Sequence, residues 1–187
     1  MKKEPTVDDL IHSIRAGARP TYFLFWGHRA SGGDTVGKWC LSQWWPAAFT
    51  VDGTTYATAE HFMMVAKARL FEDASAASRI LAAPDPATAK KLGRAVRGFD
   101  EKVWASARYG FVVAGNTAKF SQHPALGSFL LSIGEDVIVE ASPVDTIWGS
   151  AWHRTAQMPA TRNAGEVATS SASRSWTVRA ALRNRAS

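Results

Sequence analysis

Apolar side chains recur along this chain with two periods. From Thr58 to Phe71 the residues Ala59, Phe62, Met63, Ala66 and Leu70 form a stripe at helical spacing, and Thr58 stands where an N-cap is wanted. Similar patterns predict helices over Ala74–Ala82, Pro86–Gly93, Glu101–Phe120 and Leu126–Ile133. Short aromatic or β-branched runs predict strands instead. One is Thr21 to Trp26, another Val137 to Ala141, closed by Ser142-Pro143. Trp39 to Val51 is aromatic and reads as extended, and Asp52-Gly53 after it is a hairpin turn pair. Gly27 to Lys38 reads as a loop. Residues 1–20 read as a leader with one helical pattern (Leu10, Ile11, Ile14) that stops near Gly17 and Pro20. No internal repeat is visible. Several helices with a few strands predict an α+β fold, helix-rich with a small β-sheet.

The chain has 187 residues, enough for one domain with a real core, and its 46% hydrophobic and 20% charged content is globular. No apolar run approaches the length a membrane span needs, and Met1-Lys2-Lys3-Glu4-Pro5 leads into Asp8 and Asp9 rather than an apolar segment. A cytoplasmic protein with no membrane partner is therefore expected. The lone Cys40 excludes an internal disulfide. The net charge of +6 suggests nucleic acid until it is divided along the chain. Residues 150–187 hold six arginines and one acid, whereas 1–149 hold 16 basic and 15 acidic groups. The body is nearly neutral, so charge does not identify its partner.

Candidate chemistry is sparse. Glu60, Met64 and Lys67 share a helix face, since seven residues make almost two turns. Glu60 lies in the first turn, where the helix dipole favours a carboxylate. Taken alone, such a Glu/Lys pair reads first as a solvated helix face. Asp145 and Trp148 follow the last strand and its proline turn; they suit a sugar hydroxyl and a base, or a turn and a core filler. Lys90, Lys91, Arg94 and Arg97 suit a phosphate or a solvated helix face. The histidines lack metal-ligand spacing, so no metal is expected.

Taken together, these pieces occur in a specific order. The chain carries Phe25-Trp26-Gly27, Ser42-Gln43-Trp44-Trp45, then Tyr56-x-Thr58-Ala59-Glu60-His61-Phe62-Met63-Met64-x-x-Lys67-Ala68. Lys91-Leu92-Gly93-Arg94, Lys119-Phe120-Ser121-Gln122 and Val139-Glu140-Ala141-Ser142-Pro143-x-Asp145-x-x-Trp148-Gly149 follow. This set resembles the NADAR, or YbiA-like, family over about residues 21–149. The resemblance implies a hydrolytic N-glycosidase that cleaves the bond between a nitrogen and C1 of a phosphorylated ribose. It implies riboflavin-biosynthesis intermediates or ADP-ribosylated guanine, free or in nucleic acid, as substrate. It implies no cofactor. The family's functional positions fall on Glu60, Lys67, Trp104 and Asp145, with Arg94 and Trp148 in the pocket. Glu60 and Asp145 are the expected pair that stabilises the ribosyl cation and activates water. Lys67 orients the ribose or phosphate, or forms a Schiff base with the opened sugar. Arg94 holds phosphate.

Past Trp148-Gly149 the family's closing segment, Asn-Leu-Leu-Gly-x-Ala-Leu-Met, is missing. Here 150–187 is a basic, Ala/Ser/Thr-rich tail. Back-translated in a shifted frame, Thr169 to Trp176 permit Asn-Leu-Leu-Gly-Phe-Ala-Leu-Met. The tail thus reads as out of frame from about residue 150, with roughly 150–175 poorly ordered and a helix-like cluster at Trp176, Val178, Ala181 and Leu182. A catalytically weak ADP-ribose- or nucleotide-binding module is the alternative function: the two carboxylates favour an enzyme, the missing segment the module.

Overall fold

A computed structural model describes residues 7–28, 36–140 and 177–184. The chain divides into two compact units, Gln43–Gly127 and the combination of Met1–Ser42 with Ser128–Ser187. The fold is α+β and helix-rich.

In the second of these units, α1 (Val7–Arg15) ends where Gly17 adopts φ +97° and its N–H donates to the carbonyl of Ile14. Strand β1 (Tyr22–Phe25) pairs in parallel with β4 (Val137–Glu140), with Tyr22 opposite Val137 and Phe25 opposite Glu140. The β-branched run of β4 is buried almost throughout, and Val137 and Val139 pack with Leu10, Tyr22 and Leu24. Parallel pairs form where apolar strands are covered on both faces, which fits the unbroken apolar run of β4. Phe23 meets Phe129 edge to face at 6.1 Å. A further helix covers 177–184, with Val178 and Leu182 buried. Its Arg179 is 2% exposed and donates to the carbonyls of Gly134 and of Asp136, the latter at 3.1 Å. The helical cluster expected at the end of the tail therefore forms over its described part. The stretch expected to be poorly ordered, roughly 150–175, lies outside the described residues.

The Gln43–Gly127 unit is built around one helix. Strands β2 (Phe49–Val51) and β3 (Thr54–Tyr56) form a hairpin through Asp52 and Gly53, both with positive φ, as a tight primed turn requires. Helix α2 (Ala59–Leu70) follows, capped by the Thr58 hydroxyl accepting from the His61 N–H. It packs against α3 (Ala74–Leu81), α4 (Pro86–Arg94) and α5 (Glu101–Gln122). Asp73, Asp85 and Asp100 cap those three helices, each accepting a backbone N–H three residues on. Helix α6 (Pro124–Ser132) comes next in the chain. Phe49, Tyr56 and Phe62 form an aromatic core with centroids 5.1–6.0 Å apart. Alanines at 59, 68, 76, 77 and 89 let the helices approach closely.

One expected element is corrected. Trp39 to Val51 is not extended throughout: Lys38–Leu41 forms a 3-10 turn, with the Cys40 N–H bonded to Gly37 and the Ser42 N–H to Trp39. Only Phe49–Val51 pairs as strand. Trp39, Cys40 and Leu41 are all buried, and three consecutive buried side chains fit a tight turn rather than a pleated strand with alternating faces.

Candidate active site

Helix α2 does not have the amphipathic character expected of it. Glu60 is 3% exposed and Lys67 8% exposed, although they lie off the apolar stripe. The solvated-face reading of this pair is thereby removed, because α2 is enclosed by its neighbours on nearly all sides. Two ionisable groups are held about 10 Å apart along the axis of a buried helix, from a rise of about 1.5 Å per residue. Burying charge is unfavourable unless it is partnered, so their retention there needs a reason.

The surroundings of Glu60 are built by the Ser-Gln-Trp-Trp stretch. The Glu60 N–H donates to the Gln43 carbonyl at 3.0 Å, fixing that stretch to the start of α2. The Gln43 side-chain amide donates to Asn116 on α5 at 3.1 Å, and Asn116 in turn donates to the Val112 carbonyl. So anchored, the Trp44 indole N–H donates to the Glu60 carboxylate at 3.3 Å. Lys90 on α4 places its ammonium 5.7 Å from the Trp44 ring centroid.

Lys67 sits in aromatic surroundings. Its Nζ lies 3.8 Å from the Phe99 ring centroid and 5.7 Å from that of Trp104. Trp104 is buried and stacks on Phe111 at 6.1 Å. Burial pushes the Lys67 amine below the usual lysine value, against the opposing pull of Glu101. Among the described residues its amine makes no hydrogen bond or ion pair. An amine whose ammonium form is disfavoured by burial suits carbonyl chemistry on a sugar.

Three of the expected residues, Glu60, Lys67 and Trp104, thus belong to the buried surroundings of α2. Arg94 is on the last turn of α4, exposed, and held near α2 by close packing: a β-carbon on Gly93 would collide with the Met64 sulfur. Asp145 and Trp148 lie outside the described residues. His61 is structural. Its Nε2 donates to the Ala83 carbonyl at 3.1 Å, which can only accept, so Nδ1 faces the Thr58 hydroxyl as acceptor. Phe99 was not singled out from the sequence, and Trp44 entered only as part of the Ser42-Gln43-Trp44-Trp45 stretch. Phe99 stands immediately before the N-cap Asp100, with Trp104 four helical positions in, which is the spacing of a hydrophobic staple and was legible. Among the described residues no three His, Cys, Asp or Glu side chains gather as a metal set, and no helix is long and apolar enough to cross a membrane.

Comparison with known proteins gives the family. The sequence profile of the NADAR domain matches residues 24–168. An N-glycosidase of Acanthamoeba polyphaga mimivirus is 40% identical over 121 residues, covering 62% of this chain and 71% of that protein. The N-glycosidase YbiA of Escherichia coli K12 is 30% identical over 123 residues, covering 66% and 74%. A riboflavin biosynthesis protein of Vibrio vulnificus is 29% identical over 109 residues, 58% of this chain and 29% of that one. The solution structure of E. coli YbiA shares the fold, with a TM-score of 0.60 over 90% of this chain and 89% of that chain at 24% identity. A profile match over most of the chain, joined to a relative this similar over this much of its length, establishes that the chain belongs to the NADAR domain family.

Proposed function

We propose that the protein is an N-glycosidase that hydrolyses the bond between a base or amine nitrogen and C1 of a phosphorylated ribose. The observation that carries this is the pairing of Glu60 and Lys67, both buried, on the one helix enclosed by the rest of its unit. Relatives named N-glycosidase and riboflavin biosynthesis protein support an N-glycosyl bond as the target.

Cleavage of an N-glycosyl bond passes through a ribosyl oxocarbenium ion. Glu60 is the carboxylate that stabilises it. Glu60 stands in the first turn of α2 and accepts the Trp44 indole N–H, which fixes its orientation toward a developing cation. Asp145 activates the attacking water in this scheme, as the second carboxylate of a glycosidase pair does. Lys67, with its acidity raised by burial, meets the ring-opened sugar: the neutral amine adds to the C1 aldehyde, water leaves, and hydrolysis of the imine returns the amine. Trp104 walls this end of the site. Arg94 pairs with phosphate through its guanidinium fork, and Trp148 stacks on the base. These roles require no metal or organic cofactor. The work is assigned to the cytoplasm, because phosphorylated sugars do not cross membranes unaided.

The test supplies two substrates separately: a phosphorylated ribosylamine of the riboflavin type and an ADP-ribosylated guanine. Release of free base or amine from either, lost in Glu60→Gln, supports the reading and identifies the branch. Stoichiometric binding of both without release by the folded wild-type protein contradicts it.

A further inference from the structure

The short connection between α4 and α5 is held at several points. At its start the Ala95 N–H bonds to the Leu92 carbonyl. In its middle the Asp73 carboxylate accepts three bonds from Arg97: the backbone N–H at 3.0 Å, Nε at 3.3 Å and Nη2 at 3.1 Å. Gly98 takes φ +69°, a conformation side chains resist. Asp100 closes the segment by capping α5. Asp73 is itself 5% exposed and caps α3, so one buried carboxylate ties a helix start to this connection.

What the tied segment delivers is Phe99. Its ring stands edge-on to Phe71 at 5.4 Å and presents a face to Lys67 Nζ at 3.8 Å. The ring remains 41% exposed. A phenyl ring left this open is held by its backbone and its neighbours rather than by deep burial, and its face meets the one amine that the proposed chemistry uses. The charged group acting on Lys67 from a neighbouring element is Glu101, in the first turn of α5.

We propose that Phe99 is a positioning residue for Lys67: its ring face holds the amine in place, and the Asp73–Arg97 clamp holds the ring. This rests on the reading of Lys67 as the amine that meets the sugar. The ring acts on the amine in two opposed ways. Its negative face attracts the ammonium form, and its bulk excludes the water that would hydrate it.

Fluorination separates the two effects. Site-specific replacement of Phe99 by phenylalanine with one, two or three ring fluorines preserves shape while weakening the negative face. The titration of Lys67 is read directly by reductive methylation with isotope-labelled formaldehyde and NMR of the methylated amine. The midpoint should fall stepwise, by about 0.5–1.5 pH units across the series. A midpoint that does not move overturns the proposal, because a purely structural Phe99 would change melting temperature and nothing else. As a second variant, Arg97→Lys keeps the charge but loses the fork. It should lower kcat several-fold with little change in KM. Wild-type kcat in Arg97→Lys overturns the clamp. Failure of the underlying reading looks different: there Lys67→Met releases base at the wild-type rate, whatever the fluorinated series shows.

Discussion

Lys67 is held where an ordinary lysine would not stay. Its value is lowered by burial, so in the folded protein the ammonium is disfavoured relative to the unfolded chain. The sign follows. Stability is reduced by this group below its folded midpoint and recovers as pH rises through it. Lys67→Met should therefore raise the melting temperature near neutral pH, by about 2–4 °C per kcal/mol gained in a chain this size, while abolishing turnover. Differential scanning calorimetry and base release measure the two; a stabilised variant with full activity would remove Lys67 from the reaction. The wild-type rate should climb with pH through a midpoint below the usual lysine value, and Lys67→Arg should lose that limb. Arg94 answers a different question. It is exposed, so Arg94→Ala should leave stability nearly unchanged and raise KM about tenfold or more with kcat little altered. Equal KM for phosphorylated and dephosphorylated substrate in the wild type would exclude the role. Glu60 and Lys67 were legible as a pair from their spacing, but their burial was not. Residue spacing locates a helix face without saying what packs over it.

The helices read well because their ends are chemically marked. Thr58, Asp73, Asp85 and Asp100 each accept a bond from the backbone three residues on, and the observed helices start one residue after each. The stretch from Trp39 was misread because aromatic content stands in for strand, whereas there the rings fill a core beside a 3-10 turn. Asp73 gives the element scale its own prediction. Bonds from Arg97, and from the start of α3, hold its carboxyl well below the usual carboxylate range. A depressed carboxyl adds stability that is complete above its unfolded value near 3.9 and is lost as pH falls through the folded value. Acid unfolding should thus show a limb below about pH 4 that is blunted in Arg97→Ala. An identical limb in wild type and variant, followed by circular dichroism, would mean the clamp contributes nothing to α3.

At the scale of the whole chain, the family profile matches residues 24–168, which runs past Gly149, the point after which the sequence reads as a tail. The helix over 177–184 docks through the buried Arg179, which donates to the Gly134 and Asp136 carbonyls. Arg179→Ala would leave those carbonyls without their donor and should destabilise the protein by about 2–4 kcal/mol, seen in urea unfolding as a lower midpoint at unchanged slope. We propose that the chain is out of frame from about residue 150. The coding DNA across Thr169 to Trp176 should then spell Asn-Leu-Leu-Gly-Phe-Ala-Leu-Met in the alternative frame, and other residues there would refute it. The central claim is that a buried carboxylate on α2 stabilises a ribosyl cation. It is tested most directly by the rate at which base is released from a ribosylated substrate by wild type and by Glu60→Gln, each checked for its melting temperature. A fall of at least about a hundredfold with melting temperature preserved within a few degrees is the predicted result, since the change removes charge and keeps shape. A folded Glu60→Gln that turns over at the wild-type rate would contradict the account.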